Sequence, residues 1–145
     1  MSDLSETLKL LPHGAEFRFI DRLASLDPGN SGSAEYTVKG TEPFLRGHFP
    51  SEPLMPGVLL IEAAAQLAGV VAQSHPELPP LPGLKLTAVR GAKILGTAAP
   101  GQTILLHAKI DGRINNLIQA SVSADIDGRK VLESIITLSG ETKPS

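Results

Sequence analysis

The sequence predicts an α+β domain in which an antiparallel β-sheet wraps around one long helix. The first observation is that residues 58–73, between Pro56 and Pro76, are apolar on several faces and long enough for about four helical turns. A helix that is apolar all the way round is normally buried on all sides. The second observation is that residues 84–138 repeatedly alternate apolar and polar side chains between turn signals, as antiparallel strands do. A curled sheet would cover every face of such a helix.

The length of 145 residues fits one domain, with residues 1–10 as an arm or short helix and residues 140–145 as a frayed tail. Apolar residues make up 41% and charged residues 19%, which indicates a globular chain. A net charge of −2 without a basic run argues against nucleic acid as a partner. The absence of cysteine excludes disulfides and thiolate chemistry. The first residues lack the features of a signal peptide, so we expect a cytoplasmic protein, and the apolar helix is too short to span a membrane.

The first third of the chain predicts two strands and a rigid loop. Residues 17–26 indicate one strand, residues 27–30 a turn, and residues 33–39 a second, half-buried strand because their polarity alternates. Residues 47–57 contain three prolines and two glycines, which allow no regular element. Pro56 then fits a first-turn position of the helix, where its missing N–H costs nothing.

After the helix, a proline-rich connection over residues 74–83 leads into the longer part of the sheet. Strands are predicted over residues 84–95, 104–110, 118–126 and 131–138. Turns are predicted at Pro100-Gly101, Asp111-Gly112 and Asp127-Gly128. The last of these dipeptides is a strong hairpin signal.

The predicted helix carries one narrow polar seam. At about 100° per residue, Glu62, Gln66 and Gln73 fall within roughly 40° of arc. A buried carboxylate is costly unless it is paired, so one interpretation is a structural Glu62 held by Gln66 or by a nearby arginine. The other interpretation is catalytic, and His48 favours it because this histidine lies in the stiff loop just upstream. A base, an acid and the free N–H groups at a helix start form a specific combination.

Several motifs resemble the signature of the FabZ-type 3-hydroxyacyl-[acyl-carrier-protein] dehydratases. The segments that carry the resemblance are Gly47–Pro50, Pro53–Leu59, Ile61–Gln66, Leu11–His13 and Phe17–Arg22. The spacing between His48 and Glu62 makes the resemblance specific, and it extends over residues 11–140. A glutamate at position 62, rather than an aspartate, favours the FabZ type over its FabA relatives. The resemblance implies a hotdog fold, in which the antiparallel sheet wraps around one long central helix, and a dimer whose two sheets join edge to edge.

The resemblance also implies a reaction, the reversible loss of water from a 3-hydroxyacyl thioester to give the trans-2-enoyl thioester in fatty acid biosynthesis. In this reaction His48 would be the base for the C2 proton, and Glu62 the acid for the departing C3 hydroxyl. The N–H groups of Gly57 and Val58 would hold the thioester carbonyl or the imidazole. Gln66 would orient Glu62. In relatives the histidine and the glutamate meet across the interface of a homodimer. We therefore expect a homodimer or a higher assembly of such dimers.

The resemblance implies no metal or organic cofactor, and the sequence offers no ligand cluster and no phosphate-binding glycine loop. The substrate would arrive on the phosphopantetheine of acyl carrier protein. The candidate basic patch for this acidic partner is Arg46, Lys85, Arg90 and Lys93, although ordinary solvated charges explain these residues at least as well. Residues 90–97 depart from the Arg-rich pattern of the family, so a dehydratase of a specialised polyene or polyketide pathway is an alternative. A hotdog thioesterase and a non-catalytic acyl-binding hotdog protein are further alternatives, and the presence of both His48 and Glu62 argues against both.

Overall fold

A computed structural model describes residues 18–42 and 54–141 of the chain. These residues form one α-helix and a six-stranded sheet. In chain order the elements are β1 (Arg22–Asp27), β2 (Ser31–Thr37), α1 (Gly57–Gln73), β3 (Lys85–Ile94), β4 (Thr103–Ile114), β5 (Leu117–Ile126) and β6 (Arg129–Ser139). The strand order is β1-β2-β4-β5-β6-β3, and all neighbouring strands are antiparallel. The predicted α+β architecture, with one helix against an antiparallel sheet, is confirmed.

Helix α1 packs on the sheet and is buried along most of its length. It contacts β2, β3, β4, β5 and β6. Five buried alanines let the strands approach the helix closely, and they are Ala63, Ala64, Ala65, Ala68 and Ala72. Leu60 and Leu67 are completely buried, and each contributes about 2 kcal/mol through the apolar surface that it removes from water. Pro56 is the N-cap rather than a first-turn residue, because its backbone is extended with a ψ of 150°.

Two similar dipeptides behave differently in the sheet. Asp127-Gly128 forms the predicted hairpin turn between β5 and β6, with φ angles of 51° and 77°. Asp111-Gly112, which the sequence predicts as a turn, lies inside β4 at a β-bulge. The chain instead reverses at Asn115-Asn116, where Asn115 has a φ of 55°. Asparagine tolerates this left-handed conformation better than most residues, so the turn forms at that point.

The strand predicted over residues 17–26 is confirmed only in its second half, as β1. Strand β1 begins only at Arg22. Phe19 is buried and donates its backbone N–H to the side-chain oxygen of Gln66 at 2.8 Å, rather than to a neighbouring strand. This hydrogen bond holds the chain against helix α1, which explains why the regular sheet starts later than its sequence pattern indicates.

The last described residues are held in place, so a frayed tail does not begin at residue 140. The N–H of Gly140 donates to the carbonyl of Asn116 at 2.8 Å, and the side-chain amide of Asn116 donates to the carbonyl of Gly140 at 2.6 Å. The N–H of Glu141 donates to the carbonyl of Pro82 at 2.7 Å. Residues 142–145, like the predicted arm at residues 1–10, lie outside the described residues.

Strand β3 forms an open edge of the sheet beside the start of helix α1. Its side chains are largely exposed, including Val89 at 42% and Ile94 at 46%, although both pair with buried residues of β6 and therefore face the side of the helix. A Cβ added to Gly57 would lie 2.5 Å from Cγ2 of Ile94. Glycine at this position therefore allows the first turn of α1 to approach the end of β3.

Candidate active site

Glu62 lies in the second turn of α1, on the side of the helix that the sheet covers least. Val58, one turn earlier on this side, is 66% exposed, and Glu62 itself is half-buried. Gly69, on the same side, faces the start of β3, because a Cβ added there would lie 3.7 Å from the side chain of Leu84. The helix therefore presents Glu62 toward the open β3 edge. The sequence predicts a buried carboxylate, whereas Glu62 is half-buried.

The side chain of Gln66 connects Glu62 to the chain before β1. Gln66 is 2% exposed, its Oε1 accepts the N–H of Phe19 at 2.8 Å, and its Nε2 lies 3.4 Å from Oε1 of Glu62. Because a backbone N–H can only donate, it selects the oxygen of the amide. The NH₂ group must then point toward the carboxylate. The structure thus brings together Gln66 and Glu62 in the arrangement that an orienting role requires.

The amide groups at the start of α1 lie one turn before Glu62. The N–H groups of Leu59 and Leu60 both donate to the carbonyl of Pro56, at 2.9 and 3.3 Å. The N–H groups of Gly57 and Val58 precede them, where a helix provides no carbonyl of its own to accept them. Their donors and the positive end of the helix dipole favour a partly negative oxygen at this place.

The predicted base and one cation of the predicted basic patch belong to the same segment of the chain. His48, the predicted base, and Arg46 belong to residues 43–53, which lie outside the described residues. The motif at Leu11–His13 lies outside them as well. The described residues on either side of the segment that carries His48 are Glu42 before it and Leu54 after it.

The three described cations of the predicted basic patch do not form one cluster. Lys85 and Lys93 are eight residues apart on β3, a separation of about 26 Å along an extended strand. Lys93 forms an ion pair with Glu133 at 3.3 Å. Arg90 and Lys93 line a groove of about 980 Å³ on the outer face of the sheet, which Lys109 and Lys130 also line. Arg90 lies near the middle of β3 and Lys93 next to its Ile94 end, and both face the outer side of the sheet, away from α1. Lys85 lies at the other end of the strand.

A second carboxylate, Glu42, is one that sequence reasoning missed. It is 9% exposed and accepts a hydrogen bond of 2.6 Å from the hydroxyl of Tyr36. Burial alone raises the pKa of Glu42, but hydrogen bonds from Tyr36 and from backbone N–H groups outweigh it and leave the pKa below its ordinary value of 4.5. Burial and the contact with Glu42 raise the pKa of Tyr36 above its ordinary value of 10.0. Tyr36 is the feature of the sequence that indicates such a carboxylate, because a phenol at a buried strand position needs a partner for its hydroxyl.

Across residues 18–42 and 54–141, no three histidine, aspartate or glutamate side chains lie close enough together to hold a metal ion. In that same part of the chain, no helix is long and apolar enough to cross a membrane.

Comparison with known proteins identifies the family. Residues 11–135 match the model of the FabA-like domain. The chain is 34% identical over 135 residues to the 3-hydroxyacyl-[acyl-carrier-protein] dehydratase FabZ of Rickettsia bellii (strain RML369-C), covering 93% of both chains. It is 36% identical over 141 residues to the FabZ of Polynucleobacter necessarius subsp. necessarius (strain STIR1), covering 97% of this chain and 94% of the other.

A solved structure supports the hotdog fold. The dehydratase heterocomplex ApeI:P from Xenorhabdus doucetiae matches with a TM-score of 0.81 at 16% sequence identity, covering 94% of this chain and 91% of that chain. At this identity the likeness concerns the fold alone. The predicted fold and the predicted resemblance are both confirmed, and the chain belongs to the FabA-like family as a member of its FabZ type.

Proposed function

We propose that this protein removes water from a 3-hydroxyacyl thioester on acyl carrier protein and yields the trans-2-enoyl thioester, in fatty acid or related acyl-chain biosynthesis. The observation that carries the proposal is the Glu62–Gln66 pair. A half-buried carboxylate lies beside an amide whose orientation is set by the N–H of Phe19, one turn after the first amides of α1. The FabZ relatives support this reaction, because they are named as dehydratases of this substrate class and the similarity extends over nearly their whole length.

The proposed chemistry needs three groups. His48 as base removes the proton from C2, and the negative charge that develops on the thioester oxygen is stabilised by the N–H groups of Gly57 and Val58. Glu62 transfers a proton to the C3 hydroxyl, directly or through a water molecule, so that the C3–O bond breaks and water leaves. A proton then returns from His48 to Glu62 and restores the starting state. No step requires a metal or an organic cofactor.

We further propose that the active protein is a homodimer, or a higher assembly of such dimers, joined along β3. An edge strand offers unpaired backbone groups to a second strand, and β3 carries exposed apolar side chains on the side of the helix. The apolar surface continues onto the neighbouring Leu95 at 60% exposure and onto Val58 at 66%. Pairing of two β3 edges would cover this surface. It would also place the two α1 helices side by side, with Glu62 of each helix next to the other subunit.

Acyl carrier protein is the proposed partner, and Arg90 with Lys93 is the part of the predicted patch that suits it best. These two cations share one groove on the outer face of the sheet, and Lys93 is next to Ile94, which packs against Gly57 at the start of α1, whereas Lys85 lies at the far end of β3. The ion pair between Lys93 and Glu133 reduces the charge that Lys93 offers to a partner. Arg46 completes the proposed patch. The cytoplasmic location stays a prediction.

The test is the hydration of a short trans-2-enoyl thioester, followed by the loss of its ultraviolet absorbance. We expect wild type to turn over, and His48→Ala and Glu62→Gln each to lose at least about 100-fold in rate, as expected for removal of a general acid or base. Glu77→Gln is the matched control, because Glu77 is exposed in the connection after α1 and undergoes the same chemical change.

Inactive wild type on both pantetheine and carrier-protein thioesters would contradict the proposed function and favour a non-catalytic acyl-binding protein. Hydrolysis of the thioester without hydration would favour a thioesterase. Activity on polyunsaturated substrates but not on saturated chains would favour a dehydratase of a specialised polyene or polyketide pathway.

A further inference from the structure

Glu42 lies at the last described position before the segment that carries His48. It accepts three hydrogen bonds from its surroundings. Its Oε2 accepts the hydroxyl of Tyr36 at 2.6 Å and the N–H of Lys39 at 2.8 Å, and its Oε1 accepts the N–H of Gly40 at 2.8 Å. The side chain therefore closes a tight turn of the backbone and joins that turn to strand β2.

The donor set at this position calls for a carboxylate. Both oxygens of Glu42 face N–H or O–H groups, so an amide in its place would turn its own NH₂ group toward at least one of these donors. A buried donor left without an acceptor is costly. The hydrogen bonds lower the pKa of Glu42 against the opposing effect of burial, which keeps the group ionised near neutral pH.

Tyr36 connects the turn to helix α1 through a chain of contacts. Its ring packs edge-to-face against Phe19 with centroids 5.8 Å apart, and the N–H of Phe19 binds the side chain of Gln66. Gln66 in turn lies 3.4 Å from Glu62. Nζ of Lys39 lies over the same ring, 4.3 Å from its centroid. A continuous path of contacts thus runs from Glu62 to the residue that precedes the His48 segment.

The far end of the same segment is held as well. The N–H of Met55 donates to the carbonyl of Ala98 at 2.7 Å, and Met55 is completely buried. The turn itself is braced from the sheet, since the N–H of Val38 donates to the carbonyl of Gln102 at 3.1 Å. Residues 43–53 therefore leave and re-enter the described structure at two points that are fixed by buried contacts.

We propose that Glu42 is a positioning residue for the dehydration, which anchors the start of the His48 segment and, through Tyr36, Phe19 and Gln66, holds that anchor in a constant relation to Glu62. The inference deepens the proposed function and rests on it, because it assigns no contact with substrate to Glu42. Its effect passes through His48.

The experiment compares Glu42→Gln with Asn116→Ala. Asn116 also makes a side-chain hydrogen bond to the backbone, to Gly140, but it lies at the β4–β5 turn and outside the path of contacts described above. Hydration rates are measured well below the unfolding temperatures of both variants. We expect kcat of Glu42→Gln to fall about 10-fold or more with little change in KM, as misplacement of a catalytic group predicts, while Asn116→Ala stays within about twofold of wild type.

A second readout follows the four histidines by nuclear magnetic resonance. A His48→Ala spectrum identifies the His48 signal. We expect Glu42→Gln to shift or broaden this signal and to leave those of His75 and His107 unchanged, because these two rings are held by the backbone of Glu77 and by Asp125. Asn116→Ala should leave the His48 signal in place.

An unchanged His48 signal in Glu42→Gln overturns the inference, and so does a loss of kcat no larger than that of Asn116→Ala. If wild type has no dehydratase activity, the proposed function fails, while the histidine spectra still decide whether Glu42 anchors the His48 segment. If Glu42→Gln does not fold, Tyr36→Phe removes one of the three donors, keeps the ring, and is judged by the same two readouts.

Discussion

Glu42 and Glu62 are the same residue type in two different surroundings. Glu42 is 9% exposed and accepts three hydrogen bonds of 2.6 to 2.8 Å. Glu62 is half-buried on the open side of α1, and the amide of Gln66 reaches it at 3.4 Å. Hydrogen bonds from buried donors stabilise the ionised form of Glu42, whereas the side chain of Glu62 is partly exposed on the open side of the helix. This difference fits the two proposed roles, a positioning residue for Glu42 and a proton donor for Glu62.

The largest expected effect on this comparison concerns stability. Glu42→Gln should lower the free energy of unfolding by about 2 kcal/mol, because at least one buried donor loses its acceptor. Glu62→Gln should change it by less than about 0.5 kcal/mol, since the side chain is half-buried and glutamine has nearly the same size and keeps one oxygen acceptor. Urea unfolding at neutral pH measures both values. Equal losses in the two variants would show that the two carboxylates have similar structural roles.

A pair of glutamines on the same helix sharpens the comparison. Gln66→Met should slow hydration about 10-fold, because the change removes the group that faces Glu62 and leaves the N–H of Phe19 without its acceptor. Gln73→Met is the matched control. Its side chain bonds to the backbone of Leu81, at 2.6 and 2.9 Å, far along the helix from Glu62, so the rate should stay within about twofold of wild type. Steady-state hydration rates of the two variants test this expectation. An equal loss in both variants would contradict the proposed orienting role of Gln66.

The smallest expected effect is a difference in acid stability. A carboxyl whose pKa is lower in the folded state stabilises the fold above its unfolded value, and that stabilisation is lost as the pH falls. For Glu42 the loss begins below about 4.5, because its pKa is lowered from that value. The stability of Glu42→Gln should therefore fall less steeply than that of wild type below this pH.

Acid titration of the unfolding free energy checks this expectation. Glu133, whose pKa is lowered by Lys130 and Lys93, titrates in the same range in both proteins and cancels in the difference. Parallel acid limbs for wild type and Glu42→Gln would mean that the hydrogen bonds to Glu42 do not stabilise its ionised form.

The fold was largely predictable because its strongest signals are local. The long apolar helix without proline and the alternation of the later strands need no knowledge of their partners. The turns show where this ends. Asp127-Gly128 and Asp111-Gly112 carry the same local signal, but the second is absorbed into β4 as a bulge, because the pairing of β4 with β5 continues to Ile114. Strand pairing between distant residues thus overrides the local preference.

The candidate site was predictable only in part, for a similar reason. The helical spacing of Glu62 and Gln66 shows directly that they share one side of α1. The partner of Gln66 is the N–H of Phe19, which lies 47 residues away in sequence and which a strand pattern assigns to the sheet. Glu42 has no periodic pattern around it, and its donors combine a strand side chain with the backbone of a turn. Contacts of this kind arise from the tertiary structure alone.

The most direct test of the account is the mass spectrum of a trans-2-enoyl thioester after incubation with the wild-type protein in D₂O. Addition of water across the double bond places a deuteron from His48 on C2, so the account predicts an intact 3-hydroxyacyl thioester with one carbon-bound deuterium at that position. Glu62→Gln should form this product far more slowly. An unchanged enoyl thioester, or the free acid in place of the hydrated thioester, would contradict the account.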